Sequence, residues 1–124
     1  MKVAISCVGQ SLEDDLDPRF GRAAFFLVVD TEKMSFSVID NAARAASGGA
    51  GIAAAQSVID QHVEAVIAGQ LGPNALNVLS SADIALYQGI SGSAYSNIIA
   101  FNQQKLARIT ESGPSHAGIG RLRG

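Results

Sequence analysis

The sequence predicts an α/β domain in which helices cover both faces of a five-stranded mixed sheet. Apolar residues make up 48% of the 124 residues and charged residues only 16%, which is typical of a folded globular chain. Three strand-like runs come first, and the third begins a series of three strand-to-helix units, so the element order is βββαβαβα. Because crossovers between parallel strands are right-handed, we expect the strand order 3-2-1-4-5 with strand 2 antiparallel to the others.

The first half of the chain is predicted to form three strands. They span residues 2–8, 23–29 and 35–39. The first two are continuous apolar runs, which is typical of buried strands. In the third, Phe36 and Val38 alternate with serines, which predicts one wetter face. A polar turn at residues 30–33 joins the second strand to the third.

The second half alternates helices with strands. Helices are predicted at residues 52–61, 74–81 and 94–106, and strands at residues 63–68 and 83–87. Pro73 suits the start of the second helix, and Ser93 suits the N-cap of the third. Helical spacing of apolar residues predicts a buried face on two helices. These residues are Ile52, Ala55, Val58 and Ile59 in the first helix and Tyr95, Ile98, Ile99 and Leu106 in the third.

Length and composition narrow the class of protein. We expect one domain over residues 1–108 and a flexible basic tail over residues 109–124. No apolar run reaches the ~20 residues that span a bilayer, and the N-terminus lacks a signal-peptide pattern, so we expect a cytoplasmic protein without a membrane partner. The net charge of −2 argues against nucleic-acid binding. A single cysteine, Cys7, excludes an internal disulfide.

Four loops are expected to meet at one edge of the sheet. They are residues 17–22, with the sequence DPRFGR, and the glycine-rich segments 47–51, 69–73 and 89–93. All leave the carboxyl ends of parallel strands, where ligands of open α/β sheets bind. Three also lead into helix N-termini, whose free N–H groups favour an anion. With the positive charges of Arg19 and Arg22, the sequence predicts an anion-binding crevice at this edge.

The predicted strand order is that of the ribonuclease H-like architecture. Nucleases of this type hold two metal ions with acidic residues on the first strand and near the end of the fourth. Residues 2–6 and 67–69 supply no carboxylate at those places, so a two-metal nuclease is disfavoured. The chain also lacks the GxxxxGK[ST] phosphate loop, and the stretch after the first strand lacks GxGxxG, which makes a phosphate- or nucleotide-binding enzyme the weakest alternative.

Two histidines and the cysteine are candidate functional residues. His62 is expected at the end of the first helix, where it would interact with the helix C-terminus. His116 lies in the predicted tail, and neither histidine has a partner at metal-ligand spacing. Cys7 is either a small buried hydrophobic residue or a thiolate ligand whose pKa is lowered by Arg19 and Arg22.

Four motifs together resemble those of the dinitrogenase iron–molybdenum cofactor family. They are FGR after the first strand, SGGAGI before the first helix, GxxGPNA at the second helix and IxxYxG at the end of the fifth strand. The resemblance covers about residues 1–106, with the orange-protein branch as the nearest match. It implies a ribonuclease H-like fold and a protein that binds a metal–sulfur cluster without performing chemistry on it.

The resemblance also implies a cargo and a set of contact residues. The implied cargo is a noncovalently held molybdenum–copper–sulfide cluster, with an iron–molybdenum–sulfur cofactor or its precursor as the alternative. The matching positions are Arg19, Phe20, Gly21 and Arg22, then Gly48, Gly49 and Gly51, then Gly72, Pro73 and Asn74. Loop placement adds Ser91 and Gly92, and the choices for a direct metal ligand are Cys7 and His116.

Partners follow from the same resemblance. The family implies a metal–sulfur cluster and cofactor-assembly proteins as partners. The alternative is a regulatory interaction module that works with ATPases of the ParA/MinD type. In that case the crevice would be vestigial, and the basic tail would make the contact.

Overall fold

The computed structural model describes residues 1–45 and 48–110. The strands are β1 (Lys2–Cys7), β2 (Phe25–Asp30), β3 (Phe36–Asp40), β4 (Ala65–Ala68) and β5 (Ala85–Gln88). The helices are α1 (Ala50–Ile59), α2 (Pro73–Ser81) and α3 (Ala94–Asn102), and a short 3-10 helix spans Ala42–Ala45. The predicted flexible tail lies almost wholly outside the described residues. No helix in the described ranges is long and apolar enough to cross a membrane.

The strands form one mixed sheet in the order β3-β2-β1-β4-β5. β2 is antiparallel to both of its neighbours, whereas β1 pairs parallel with β4, and β4 pairs parallel with β5. This arrangement confirms the predicted order and direction of every strand. It also brings the carboxyl ends of β1, β3, β4 and β5 to the same edge of the sheet.

Two apolar clusters pack on opposite faces of the sheet. Alternate residues of β1 divide between them, because neighbouring side chains of a strand point to opposite faces. Ala4 belongs to the cluster with α1 and α2, whereas Val3 and Ile5 belong to the cluster with α3. The prediction of helices on both faces is therefore confirmed.

Two helices differ from their predicted extents and buried faces. α1 begins at Ala50, so that Ile52 lies in its first turn and is nearly half exposed. α3 ends at Asn102 rather than at residue 106, and Tyr95 on its first turn points to solvent. The expected apolar faces were wrong at Ile52 and Tyr95, because the small residues Ala50 and Ala94 of the same first turns are buried instead.

All three helices end in a left-handed residue that is not glycine. His62, Asp83 and Gln104 have φ values of 58°, 62° and 60°. After α3, the Lys105 N–H donates to the Ala100 carbonyl (2.9 Å), and the Gln104 N–H donates to the Phe101 carbonyl (3.0 Å), which is a Schellman ending. His62 is exposed, and its own backbone N–H bonds the end of α1 at the Ile59 carbonyl.

Replacing Gln104 by glycine should stabilise the protein. Glycine adopts positive φ without the steric cost of a side chain, so Gln104→Gly should raise the free energy of unfolding by about 0.5–1 kcal/mol. The control is Gln103→Gly, one residue earlier, where φ is −88° and glycine only adds unfolded-state entropy. Urea unfolding should therefore show opposite signs for the two variants, and equal destabilisation would contradict the left-handed ending.

Candidate functional site

The loop around residues 17–22 is fastened to its neighbours on both sides. The Asp17 N–H donates to the Ser6 carbonyl (3.0 Å), and the Ser6 hydroxyl donates to the Asp17 carbonyl (2.7 Å). On the other side, the Gln70 N–H donates to the Pro18 carbonyl (2.7 Å), and the Phe20 N–H donates to the Gln70 carbonyl (3.4 Å). The loop therefore continues the hydrogen bonding of β1 and β4 beyond the end of the sheet.

Asp17 and Arg19 form an ion pair inside this loop. The Asp17 side chain is 1% exposed, and its Oδ1 accepts hydrogen bonds from the Arg19 N–H (3.0 Å) and Nε (3.1 Å). Its Oδ2 accepts from Arg19 Nη2 (3.1 Å). Burial alone would raise the pKa of Asp17, but the hydrogen bonds and charge of Arg19 outweigh it and hold that pKa below its usual range. The charge of Arg19 is thus largely compensated within the loop.

Phe20 and Gly21 have packing roles. The Phe20 side chain is buried, and its ring centroid lies 5.0 Å from that of Phe26 in the α1–α2 cluster. The ring anchors the loop and is not available to a ligand in this conformation, unlike the predicted contact. A Cβ at Gly21 would lie 3.0 Å from both N and Cα of Gly51, so a side chain there would force the loop and the start of α1 apart by a few tenths of an ångström.

The N-termini of α1 and α2 meet beside this loop, and we call this region the α1–α2 corner. A Cβ at Gly51 of α1 would lie 3.5 Å from the Ala75 Cβ of α2, which is ordinary contact. Both N-caps, Gly49 and Gly72, lack a capping side chain. In the described ranges, no hydrogen bond reaches the first-turn N–H groups of Ala50, Gly51, Ile52, Asn74 and Ala75. The corner therefore presents donors from two helix ends to one place.

The N-terminus of α3 is closed instead. The Ala94 N–H donates to the Asp14 carbonyl (2.8 Å), and the Tyr95 N–H donates to the Leu12 carbonyl (2.8 Å). The Ser93 hydroxyl accepts from the Ser96 N–H (3.0 Å), which confirms the predicted N-cap. The prediction that three helices offer free N–H groups at this edge is therefore correct for α1 and α2 and wrong for α3.

A separate crevice of about 310 Å³ lies beside β5. Its described lining includes Asp15, Pro18 and Gln70, and also Ser91 and Gly92. Among those lining residues, Asp15 is the one charged group, and its charge is negative. Ser91 and Gly92 thus line this crevice, and the negative charge of Asp15 there does not favour an anion.

Two arginines link the loop to the 3-10 helix near the corner. Arg22 Nη1 donates to the Arg44 carbonyl (2.7 Å). Arg44 Nη1 donates to Asp40 Oδ1 (2.7 Å), and the pair is largely exposed. Arg22 was a predicted site residue and Arg44 was not, although Arg44 precedes the glycine-rich segment by only a few residues. The charge of Arg44 at the carboxyl end of β3 was the signal that could have found it.

Two buried asparagines also shape the edge and were missed. Asn41 Nδ2 donates to the carbonyls of Gly21 (3.0 Å) and Ala23 (2.8 Å), while its buried Oδ1 has no partner in the described ranges. The Asn97 side chain exchanges hydrogen bonds with the backbone of Ile90 (2.8 and 2.9 Å). Asn97 shares its helix face with apolar residues, and that position was the available signal.

Of the two predicted metal ligands, Cys7 lies within the residues that the structure describes. The Cys7 thiol is buried, with Sγ 3.6 Å from the Asp14 carbonyl, and burial raises its pKa. This agrees with the small buried residue and not with a thiolate whose pKa is lowered by arginines. His116 lies outside the described residues. Within residues 1–45 and 48–110, no three His, Cys, Asp or Glu side chains are grouped to hold a metal ion.

Comparisons with known proteins agree with the fold and the motifs. Residues 1–104 match the family model described as dinitrogenase iron-molybdenum cofactor. The apo form of the orange protein from Desulfovibrio gigas is 32% identical, with a TM-score of 0.87 over 90% of this chain and 95% of that one. A candidate NifB protein from Thermotoga is 33% identical, with a TM-score of 0.77 over 90% and 98%. An uncharacterized protein of Methanocaldococcus jannaschii is 28% identical over 88% of this chain and 96% of its own.

Proposed function

Because this chain belongs to the dinitrogenase iron–molybdenum cofactor family, we propose that it is a non-catalytic carrier of an anionic metal–sulfur cluster. We place the cluster at the α1–α2 corner, where it would be held without covalent ligands. The observation that carries this placement is the meeting of two uncapped helix N-termini. Each such terminus bears partial positive charge and outward N–H donors, which favour an anion.

Each part of the corner has a role in the proposal. The N–H groups of the first turns of α1 and α2 donate to the sulfides of the cluster, and Arg22 and Arg44 supply positive charge nearby. The exposed side chain of Ile52 gives an apolar contact to the polarizable sulfide surface. Most of the predicted contact residues fall in this region: Gly21, Arg22, Gly48, Gly49, Gly51, Gly72, Pro73 and Asn74.

The corner favours holding a cargo over transforming it. Its N–H groups and arginines stabilise negative charge, and the neighbouring carboxylates Asp17 and Asp40 are each paired with an arginine. The proposed cargo is a molybdenum–copper–sulfide cluster, as the similarity to the orange-protein branch implies. An iron–molybdenum–sulfur cofactor or its precursor is the alternative cargo, and cofactor-assembly proteins are the proposed exchange partners.

The substitution Gly72→Asp tests this placement. Gly72 has φ −73° and ψ 168°, and a Cβ there meets no atom within 4 Å, so aspartate fits the N-cap of α2. An N-cap aspartate should raise the free energy of unfolding by about 0.5–1 kcal/mol. The same carboxylate would occupy the donors and repel an anion, so we expect cluster uptake to fall more than about tenfold.

Uptake can be measured with a cluster assembled from tetrathiomolybdate and copper(I). The readouts are the visible spectrum and the molybdenum and copper content that stay with the protein after desalting. Ser93→Asp is the matched control, because it places the same charge at the closed N-terminus of α3 and should leave uptake unchanged. Equal loss in both variants, or loss in Ser93→Asp alone, would refute the placement. If the unmodified protein retains no cluster, the alternative of a regulatory module for ParA/MinD-type ATPases is favoured.

A further inference from the structure

The outer edge of β3 carries backbone groups that have no hydrogen-bond partner within residues 1–45 and 48–110. The Asp30 N–H donates to the Ser35 carbonyl (2.8 Å), and the Asn41 N–H donates to the Ala24 carbonyl (3.1 Å). Antiparallel pairing alternates, so the odd-numbered residues of β3 face β2. The N–H and C=O groups of Phe36, Val38 and Asp40 therefore point away from the sheet.

The side chains of these residues extend an apolar surface to the same edge. Phe36 lies opposite Val29, and Val38 lies opposite Leu27, so both are on the face that α3 covers farther along the sheet. Beyond α3 they are 41% and 39% exposed. Phe36 also lines a groove of about 550 Å³ together with Leu12 and Tyr95.

The two edge strands, β5 and β3, differ in whether another described segment covers their outer backbone groups. Along β5, the Gln88 N–H donates to the Ala107 carbonyl (2.7 Å), and the Ile109 N–H donates to the Leu86 carbonyl (2.8 Å), so residues 107–109 cover that edge. Along β3, no bridge to another described segment forms on the outer side. Residues 36–39 also contain no charged residue and no proline, the residue types that natural sheets use to prevent edge pairing.

We propose that β3 pairs antiparallel with β3 of a second copy of this chain, about a two-fold axis at Ser37. In this register Phe36 of each copy lies opposite Val38 of the other, and the outward backbone groups of both strands meet. Because the same strand is used twice, the interface is self-complementary and closes as a dimer.

The positions of the charged residues favour this register and a second copy of the chain as the partner. A shift that centres the axis on Val38 would place Asp40 against Phe36, and one centred on Phe36 would place Asp40 against Glu32. An axis between two residues would place the outward backbone groups of one copy opposite residues of the other copy whose backbone groups point toward β2. With the axis at Ser37, the paired stretch from residue 35 to residue 39 is uncharged in both copies, so neither repulsion nor a buried charge opposes association.

The dimer should be weak, because a single pair of short strands buries little surface. We expect a dissociation constant on the order of 0.1 mM, in the range of small transient interfaces. The experiment uses the full chain without cargo, at about 10 µM and 1 mM, a range that brackets this value. Sedimentation velocity should show monomer at the lower concentration and mainly dimer at the higher.

Amide hydrogen exchange identifies the strand. Exchange at Phe36 and Val38, the outward-facing residues of the paired stretch, should slow with rising protein concentration, whereas Ser37 and Ile39, which bond to β2, should not change. Val38→Lys should abolish dimerisation, and Val38→Thr, which keeps a neutral branched side chain, should weaken it only a few-fold. A chain that stays monomeric at 1 mM, or a dimer without concentration-dependent protection at these two amides, would overturn the proposal.

Discussion

Gly69→Ala should lower the free energy of unfolding by about 3 kcal/mol, at the upper end of overpacking effects. A Cβ at this position would lie 2.6 Å from the Pro18 Cα and 2.7 Å from the Pro18 carbonyl oxygen. Both are backbone atoms, so no side-chain rotation can relieve the clash. The Pro18 carbonyl is also held by the Gln70 N–H at 2.7 Å, so the loop cannot retreat without breaking that bond.

Gly48→Ala is the control for this result. A Cβ at Gly48 meets no atom within 4 Å, so the substitution should change stability by no more than about 0.5 kcal/mol. The two variants are compared by urea unfolding. The dependence of the free energy of unfolding on urea concentration should be equal for both. If Gly69→Ala is no less stable than Gly48→Ala, the loop around Pro18 does not lie against the end of β4 as described.

Asp17→Asn should lower the free energy of unfolding by about 2 kcal/mol at pH 7, because an amide cannot accept all the hydrogen bonds that the buried carboxylate accepts. In one orientation of the asparagine amide, the NH₂ group would replace Oδ2 and face Arg19 Nη2. In the flipped orientation, the NH₂ group would replace Oδ1 and face the Arg19 N–H and Nε. In both orientations two donors oppose each other beside the buried strand end. Arg19 would lose its charged partner as well.

The pH dependence of this destabilisation distinguishes the effect of the Asp17 charge from the effect of its side-chain shape. The folded pKa of Asp17 is below its unfolded value of about 3.9, so its ionisation stabilises the fold fully above that pH. The stabilisation is lost as pH falls through the folded pKa. The difference between the unmodified protein and Asp17→Asn should therefore shrink toward zero in acid, as measured by urea unfolding from pH 7 to pH 2.5.

A second variant tests the same ion pair from the arginine side. Arg19→Gln removes the other half of the pair, so its destabilisation should also shrink in acid, where Asp17 is protonated and no longer needs a cation. A cost for Asp17→Asn that is the same at every pH would mean that the carboxylate acts only by filling space.

The fold could be predicted because it depends on features that a sequence displays directly. Apolar runs, short links such as residues 30–33 and right-handed crossovers together leave one reasonable strand order. The rule that ligands bind at the carboxyl ends of parallel strands also placed Gly49, Gly51 and Gly72 at one edge. These inferences need only the direction of each strand.

The detail of the edge could not be predicted, because it depends on backbone carbonyls and on burial. The carbonyls of Leu12 and Asp14 close α3, and any residue type has a carbonyl. Arg19 was assigned to a ligand by its charge, but Asp17, two residues earlier, is buried and pairs with it. The helix endings at Asp83 and Gln104 were missed because left-handed residues are usually inferred from glycine or asparagine.

The pairing of Pro18 and Phe20 with Gln70 also bears on the order of folding. Gln70 follows β4, so this pairing can form only after β4 has joined β1, a step that closes a long segment of chain. The bonds of residues 18 and 20 to Gln70 therefore depend on a long-range contact, whereas the bonds of Asp17 to Ser6 need only β1. A chain in which β4 has not joined β1 would lack half of the hydrogen bonds that hold this loop beside the corner.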